Sequence, residues 1–247
     1  MKKNKTIRLD KFLSNNGYDS RRNIRILLKN EEVTINGIRA GEPGLRVDLD
    51  KDDVKINGQK IKYTKFVYYI LNKPKGIIST SSDEFGRENV TDLIRTPYRV
   101  YPVGRLDKDT HGLILLTNDG ELTHKLTHPR FHVPKVYELK IGGTVTQSHI
   151  DRLSNGIRLS DGVTLPANVK ILEQTERSTF MQIEIFEGRY RQIRRMCDAL
   201  RLNLIDLKRI YFGPVKLGDL KEGKYRELTN AELQGLQEAV EQKLKKN

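Results

Sequence analysis

Two carboxylates lie two residues apart in a charged segment that directly precedes one of the most apolar runs of the chain. The segment is VGRLDKDT, residues 103–110, and HGLILLTNDG follows it. Asp107 and Asp109 would share one face of an extended segment and would diverge in a turn. They could act as paired acids in hydrolysis, or one of them alone could act as a nucleophile or base. Because an Asp beside a strand is most often a turn or capping residue, the rest of the chain must decide.

Motifs for several other chemistries are missing from the sequence. It contains neither GxxxxGK[ST] nor a GxGxxG that opens a helix, so no nucleotide cofactor is expected. Cys197 is the only cysteine, which excludes an internal disulfide and the zinc ligands of nucleobase deaminases. His124 and His128 are spaced to share a helical face, but the Glu of HExxH and a third ligand are lacking. No metal is predicted.

The charge balance indicates a polyanionic partner. Lys and Arg number 45 against 32 Asp and Glu, which leaves a net charge of +13, and residues 1–39 hold ten basic against four acidic residues. Nucleic acid is the usual partner of such a chain, although a basic surface can also serve solubility alone. No apolar run approaches the roughly 20 residues of a membrane span, and no signal peptide is evident. We expect a cytoplasmic protein.

The amino-terminal residues predict a small helical and stranded unit. Apolar residues between Leu9 and Leu13 have helical spacing that ends near Gly17, and Ser20 could cap a second helix whose apolar face includes Ile24 and Leu28. The stretches VTINGIR and VKINGQKI each alternate around an Asn-Gly pair, which predicts two β-hairpins.

The same residues contain RLDKxL, a following SRR and a VxxNG hairpin, in this order. In these features residues 6–62 resemble the S4 RNA-binding module, with Asn23 where an acidic residue often follows SRR. The resemblance implies binding to structured RNA. Arginines at the start of the second helix would favour phosphate there. The predicted RNA-binding residues of this unit are Arg8, Lys11, Arg21, Arg22 and Arg25.

A second, larger unit is predicted to follow a polar link at residues 63–65, so that the domains are 1–62 and 63–247. Strand patterns and helix patterns are interspersed, which indicates an α+β fold with a large sheet. Thr229 to Glu232 form a capping-box pattern before a terminal amphipathic helix. The predicted strands are 66–71, 112–117, 136–141, 169–172, 180–186 and 205–210, and the predicted helices are 121–126, 146–154 and 192–200.

A series of motif blocks runs through residues 66–229 of the second unit: NKPKGIIST, YPVGRLDKDTHGLILLTNDGELTHKLTHP, KVYELKI, EGRYRQIRRMCDAL, LKRIYFGP and GKYRELT. In these blocks and their order, the unit resembles the pseudouridine synthases of the RsuA/RluB/RluE/RluF kind. The resemblance implies a mixed, mostly antiparallel sheet with flanking helices. It also implies conversion of uridine to pseudouridine in RNA without a cofactor or metal. The family's catalytic Asp corresponds to Asp107.

Other site residues follow from the same resemblance. Tyr137 of the KxY block would stack on the extruded uracil, although a strand Tyr can also be a core residue. Arg194 would pair with Asp107 and keep it ionised. Arg105 could enter the space that the flipped base vacates, and Leu207 could form an apolar wall beneath it. Further phosphate contacts are predicted at the start of the 192–200 helix, from Arg189, Arg191 and Arg195.

The sequence therefore predicts a site-specific ribosomal RNA pseudouridine synthase. Its partner would be ribosomal RNA or a subunit assembly intermediate, and a monomer is expected. The target subunit and the point of attack by Asp107, on the ribose or on the uracil ring, stay open. Two alternatives are a non-catalytic RNA-binding protein of this fold and a glycosidase-like hydrolase that uses Asp107 with Asp109 and releases uracil.

Overall fold

The computed structural model describes residues 6–19, 21–61, 66–83 and 85–244. The predicted cap at Ser20, the predicted link at 63–65 and the boundary after residue 62 all lie outside the described residues. Contacts divide the chain into two compact units, the first comprising residues 1–67 with 96–99 and the second 68–95 with 100–247.

The first unit is built from two short helices and small antiparallel sheets. Asn36 and Asn57, with φ of 52° and 49°, are each followed by a glycine with positive φ, as two-residue hairpin turns require. Both predicted hairpins are therefore confirmed. The elements are β1 (Thr6–Arg8), α1 (Leu9–Asn15), α2 (Ile24–Asn30), β2 (Val33–Ile35), β3 (Ile38–Arg39), β4 (Arg46–Asp48), β5 (Val54–Ile56) and β6 (Gln59–Lys60). The two hairpins join in one sheet of order β3-β2-β5-β6, while β1 pairs with β4.

The second unit contains a large sheet with helices. The strands of this unit are β7 (Tyr68–Lys73), β8 (Tyr101–Pro102), β9 (His111–Thr117), β10 (Lys135–Gly142), β11 (Arg158–Leu159), β12 (Gly162–Val163), β13 (Asn168–Gln174), β14 (Ser178–Ile185), β15 (Asn203–Phe212), β16 (Val215–Lys216) and β17 (Tyr225–Glu227). The helices are α3 (Gly120–Thr127), a 3-10 turn at Pro129–Phe131, α4 (Gln147–Asn155), α5 (Gln192–Ala199) and α6 (Asn230–Leu244).

The large sheet has the order β13-β14-β10-β15-β9-β7-β17, with β16 beside β15 and β8 beside β9. The pairing of β9 with β15 is parallel, and the other pairs along this path are antiparallel. The expected mixed, mostly antiparallel sheet is thus confirmed. β11 and β12 form a separate hairpin.

The first strand of the large sheet was predicted two residues too early. It was expected at 66–71, ending before NKPKG, but β7 runs from Tyr68 to Lys73. The strand continues through two polar residues because the sheet provides partners for their backbone groups. The Asn72 N–H donates to the Lys224 carbonyl, and both Asn72 and Lys73 pair with β9. Tertiary pairing overrides the turn tendency of Asn here.

One apolar cluster packs against β9, the strand that follows the 103–110 segment. Leu113 and Leu115 of β9 pack with Leu126 of α3 and with Leu236 and Val240 of α6, and all five are buried. Burial of such side chains contributes about 1.5–3 kcal/mol each. The terminal helix therefore stabilises the central strands directly.

Glu232 forms the predicted capping box at the start of α6 and links this helix to Arg226 of β17. Arg226 donates to both carboxylate oxygens, at 2.7 and 2.8 Å, and Thr229 donates its N–H at 2.9 Å. The Glu232 N–H in turn donates to the Thr229 hydroxyl. Hydrogen bonds from Arg226 above all, opposed by burial, lower the pKa of Glu232 to about 2.

We expect Glu232→Gln to lower the free energy of unfolding by about 1–2 kcal/mol at neutral pH. Because the folded-state pKa is depressed, the wild-type advantage is complete above the ordinary value of 4.5 and is lost as pH falls toward 2. Urea unfolding at neutral and acid pH measures the difference, with Glu241→Gln on the exposed side of the same helix as control. A difference that persists undiminished at low pH would contradict this origin.

Candidate active site

The loop between β8 and β9 carries both carboxylates in a turn. The Thr110 N–H donates to the Asp107 carbonyl at 3.1 Å, and Gly104 enters the loop with φ of +72°. The buried Ser79 hydroxyl donates to the Leu106 carbonyl at 2.8 Å and accepts from the Leu106 N–H. The backbone next to Asp107 is therefore fixed from both sides.

Lys73 holds the same loop from beneath. Its side chain is fully buried, and its ammonium donates to the carbonyls of Thr110 at 2.8 Å and Pro74 at 3.0 Å. Burial lowers the pKa of Lys73 to about 8 despite the opposing fields of Asp109 and Asp107. Lys73 was not among the residues predicted from the sequence, although a lysine that ends an apolar strand is a recognisable signal.

Arg194 of α5 contacts Asp109 more closely than Asp107. Its Nη2 donates to the Asp109 carbonyl at 3.0 Å and the Thr110 hydroxyl at 3.1 Å, and lies 3.2 Å from Asp109 Oδ2. Its Nε is buried without a hydrogen bond in the described structure and lies 3.9 Å from Asp107 Oδ2. Arg194 is therefore closer to the Asp109 carboxylate than to the Asp107 carboxylate with which it was expected to pair. The contact with Asp107 is too long to be a hydrogen bond.

Asp109 is more than a loop residue. Burial raises the pKa of its carboxyl, but the charges of Arg194 and Arg191 outweigh burial and hold the pKa below its usual range. Arg191 Nη1 lies 3.3 Å from Asp109 Oδ1 and 3.8 Å from Asp107 Oδ2. Although the segment is a turn, both carboxylates therefore face the beginning of α5. Asp109 makes the shorter contacts and links the loop to this helix.

A cavity of about 510 Å³ collects the five residues that the resemblance implied for catalysis and substrate binding. Tyr137 and Leu207 are buried in its floor, on the adjacent strands β10 and β15. Asp107 is about one-third exposed, and Arg105 is exposed. The residues that line the cavity include Arg105, Asp107, Tyr137, Arg194 and Leu207.

Arg209 also lines this cavity and was missed. It is 2% exposed, and its Nε donates to the Leu113 carbonyl at 2.7 Å while Nη2 is buried without a hydrogen bond among the described residues. Its guanidinium carbon lies 6.0 Å from the Tyr137 ring centroid and 5.2 Å from that of Phe212. The signal was available, because Arg209 follows Leu207 by two residues and so shares its face of β15.

A second cation strengthens the positive charge of the floor. Lys135 lines the cavity, 5.6 Å above the Phe212 ring. Burial first, then the field of Arg209, lowers its pKa to about 8, and Glu187 opposes them. A pocket with this floor favours a ligand with polar, electron-rich edges.

Arg189 and Arg195 are engaged within the protein. Arg189 donates to the Val163 carbonyl at 2.7 Å and to Glu187 Oε2 at 3.0 Å, and Arg195 lies 2.9 Å from an Asp161 oxygen. Both therefore hold the β11–β12 hairpin against α5. Of the three arginines predicted to bind phosphate here, Arg191 alone faces the carboxylates.

In the first unit, the five predicted basic residues differ in their surroundings. Arg8 and Arg21 share the buried Asp10, at 3.0 and 3.2 Å. Arg22 and Arg25 are exposed, and no hydrogen bond or ion pair engages them in the described structure. Lys11 is half-buried on α1.

The second helix begins later than the sequence analysis expected. α2 starts at Ile24, so Arg21 and Arg22 lie in the preceding turn and only Arg25 lies in the first helical turn. Asn23 makes no capping hydrogen bond. Phosphate binding here would depend on side-chain charge more than on the helix terminus.

The predicted histidine pair lies on α3 and just beyond it, with ring centroids 5.1 Å apart. His128 accepts from the Arg130 N–H and so caps the 3-10 turn. Within the described ranges, no group of three or more His, Cys, Asp or Glu side chains could hold a metal ion. None of the helices in those ranges has the length and apolar character needed to cross a membrane.

Comparisons with known proteins agree with this arrangement. A sequence model of RNA pseudouridylate synthases matches residues 67–199, and one of the S4 domain matches residues 7–54. Ribosomal large subunit pseudouridine synthase B of Bacillus subtilis (strain 168) is 41% identical over 93% of this chain and 95% of its own. An uncharacterized RNA pseudouridine synthase of Aquifex aeolicus (strain VF5) is 40% identical, covering 95% of each chain.

A crystal structure of a pseudouridylate synthase superposes with a TM-score of 0.66 at 30% identity. The match covers 93% of this chain and 99% of that one. Fold, cavity and sequence together define an enzyme that isomerises uridine in RNA. The chain belongs to the RNA pseudouridylate synthase family, and it carries an S4 domain at its amino end.

Proposed function

We propose that this enzyme converts uridine to pseudouridine at a specific position of large-subunit ribosomal RNA, with Asp107 as its catalytic group. The observation that carries the proposal is the cavity that brings Asp107, Tyr137 and Arg194 together from three separate elements. The large-subunit target is supported by the name of the 41% identical Bacillus subtilis relative, which matches nearly the full length of this chain.

The reaction exchanges one bond of the uridine for another. The bond between uracil N1 and ribose C1′ breaks, the ring turns, C5 bonds to C1′, and the proton on C5 leaves while N1 gains one. No oxidant or reductant is consumed. A carboxylate suits both open routes, because it can add to C1′ or to the uracil ring and can then relay a proton.

The neighbours of Asp107 support this role. Arg191 and Arg194 approach its carboxylate at 3.8 and 3.9 Å, and neither engages its oxygens in a short hydrogen bond. The Tyr137 ring and the Leu207 side chain would form the surface beneath the uracil. Extrusion of the base from its stack costs a few kcal/mol, least in loops and bulges.

A non-catalytic RNA-binding role is less well supported. A binding protein has no evident need of a partly exposed carboxylate that lines the cavity and is held by no short hydrogen bond. A glycosidase that uses both carboxylates is disfavoured because Asp109 is committed to Arg194.

The proposal is tested with ribosomal RNA and subunit precursors from cells that lack this enzyme. We expect the purified protein to form pseudouridine at a discrete position of the large-subunit RNA, mapped by chemical labelling, and to release no free uracil. Pseudouridine in the small-subunit RNA would overturn the proposed target. Its absence from all substrates would favour the binding role, and released uracil would favour the hydrolase.

The first unit should contribute to RNA affinity through phosphate contacts, which weaken as the salt concentration rises. We expect Arg22→Ala combined with Arg25→Ala to weaken binding to this RNA and to reduce the slope of log affinity against log salt by about 1–2, since each lost phosphate contact reduces it by about one. Filter binding at several salt concentrations measures the slope. Lys29→Ala at the other end of α2 is the matched control, and an equal slope for both proteins would contradict an RNA-binding role for this end of the helix.

A further inference from the structure

An exposed aromatic residue lies at the mouth of the catalytic cavity. Tyr190 is 78% exposed, and it lines the same cavity as Asp107. Neither a side-chain hydrogen bond nor a ring contact engages it within the described residues. A single exposed aromatic residue is ordinary on a protein surface, and Phe85 is equally exposed, but Tyr190 is the exposed ring that lines this cavity.

The segment that carries Tyr190 is fixed on both sides. On one side, the Arg189 N–H donates to Gln192 Oε1 at 3.0 Å, and its side chain is held by Glu187 and Val163. On the other side, Arg191 Nη1 donates to Asp109 Oδ1 at 3.3 Å. Gln192 also donates to Glu187, at 2.9 Å. The ring is therefore presented by an ordered backbone and needs little ordering when a ligand arrives.

The basic side chains near Tyr190 suit the phosphates of an RNA strand. Arg191 follows it directly and is one-third exposed, with one nitrogen 3.8 Å from Asp107. His128, His132 and the exposed Arg105 line the same cavity. An RNA strand whose target base enters the cavity must place its neighbouring nucleotides across this mouth. Aromatic rings are the usual stacking surface for unpaired bases.

We propose that Tyr190 is a stacking platform for an unpaired base that flanks the target uridine, and that it positions the RNA strand while Asp107 acts on the target. The inference rests on the proposed RNA substrate. Because stacking needs only the ring, its hydroxyl has no part in this role. The platform tolerates different bases, so it contributes affinity for unpaired RNA without reading the sequence.

Single-turnover kinetics with the target ribosomal RNA test the ring. We expect Tyr190→Phe to keep the wild-type half-saturating RNA concentration within about twofold, and Tyr190→Leu to raise it about tenfold, since stacking contributes about 1–3 kcal/mol per base. The rate at saturation should change little. Phe85→Leu removes an exposed ring that does not line the cavity and is the matched control. Equal half-saturation for Tyr190→Phe and Tyr190→Leu would overturn the proposal.

A spectroscopic readout detects the stacked base directly, because the chain contains no tryptophan. In an Asp107→Asn background, the indole fluorescence of Tyr190→Trp should be quenched as ribosomal RNA is added, and that of Phe85→Trp should not. Unchanged fluorescence of Tyr190→Trp while filter binding saturates would overturn the platform, as would equal quenching in both proteins. Failure of the proposed function gives a different result, in which the wild-type enzyme forms no pseudouridine.

Discussion

Asp107→Asn should abolish pseudouridine formation while leaving the folded enzyme and its RNA affinity intact. The amide has nearly the same shape as the carboxylate, but it can neither act as a nucleophile nor accept the proton. We expect the single-turnover rate to fall by at least about 10³-fold, within the range that general acid–base and nucleophilic groups supply. Chemical labelling of the target RNA measures the rate.

Asp109→Asn provides the matched control, because Asp109 lies two residues away and contacts the same two arginines. Its loss should weaken the link between the loop and α5 and reduce the rate by about tenfold or less, since it removes two partly exposed ion pairs. Comparable losses in the two variants would contradict the assignment of the chemistry to Asp107 alone. Wild-type activity in Asp107→Asn would exclude the residue from catalysis.

The second large effect is expected from Gly112→Ala in β9. A Cβ at this position would lie 2.3 Å from the Arg209 carbonyl oxygen and 2.8 Å from the Arg209 nitrogen, and φ is +101°. The obstacle is backbone, so it cannot move aside as a flexible side chain would. We expect the free energy of unfolding to fall by at least about 3 kcal/mol, from overpacking and backbone strain together. Urea unfolding measures it.

Gly76→Ala measures the cost of positive φ alone, without the steric clash that an added Cβ meets at position 112. Gly76 has a similar φ of +88°, but nothing lies within 4 Å of its added Cβ. This variant should cost only about 1–2 kcal/mol, the penalty of a left-handed backbone for a residue other than glycine. If both variants lose the same stability, the close approach of β9 and β15 is not what requires a glycine at position 112. Activity should fall with stability only in Gly112→Ala, because Gly112 pairs with Arg209 of β15, which lines the cavity.

Local signals in the sequence determined the elements of this protein. The Asn-Gly pairs specify two-residue hairpin turns, and both turns occur with the expected positive φ. The capping box from Thr229 to Glu232 begins α6 as expected. These features depend on interactions between residues close in sequence, so a short stretch contains all the necessary information.

The motif blocks also identified residues that are distant in sequence and close in space. Asp107, Tyr137 and Leu207 were taken from separate blocks, and the cavity brings them together. Their roles stay predictions. Arg209 could have been found as well, because strand alternation places it on the same face as Leu207.

Only the tertiary structure decided which charges pair. The arginines of the EGRYRQIRR block look equivalent in the sequence, yet Arg189 and Arg195 hold a hairpin, Arg194 holds Asp109, and Arg191 reaches both carboxylates. A guanidinium has a long, flexible stem, so its partner depends on the three-dimensional positions of carbonyls and carboxylates many residues away. The parallel contact between β9 and β15, which aligns Gly112 with Arg209, likewise joins segments about a hundred residues apart and has no local signal.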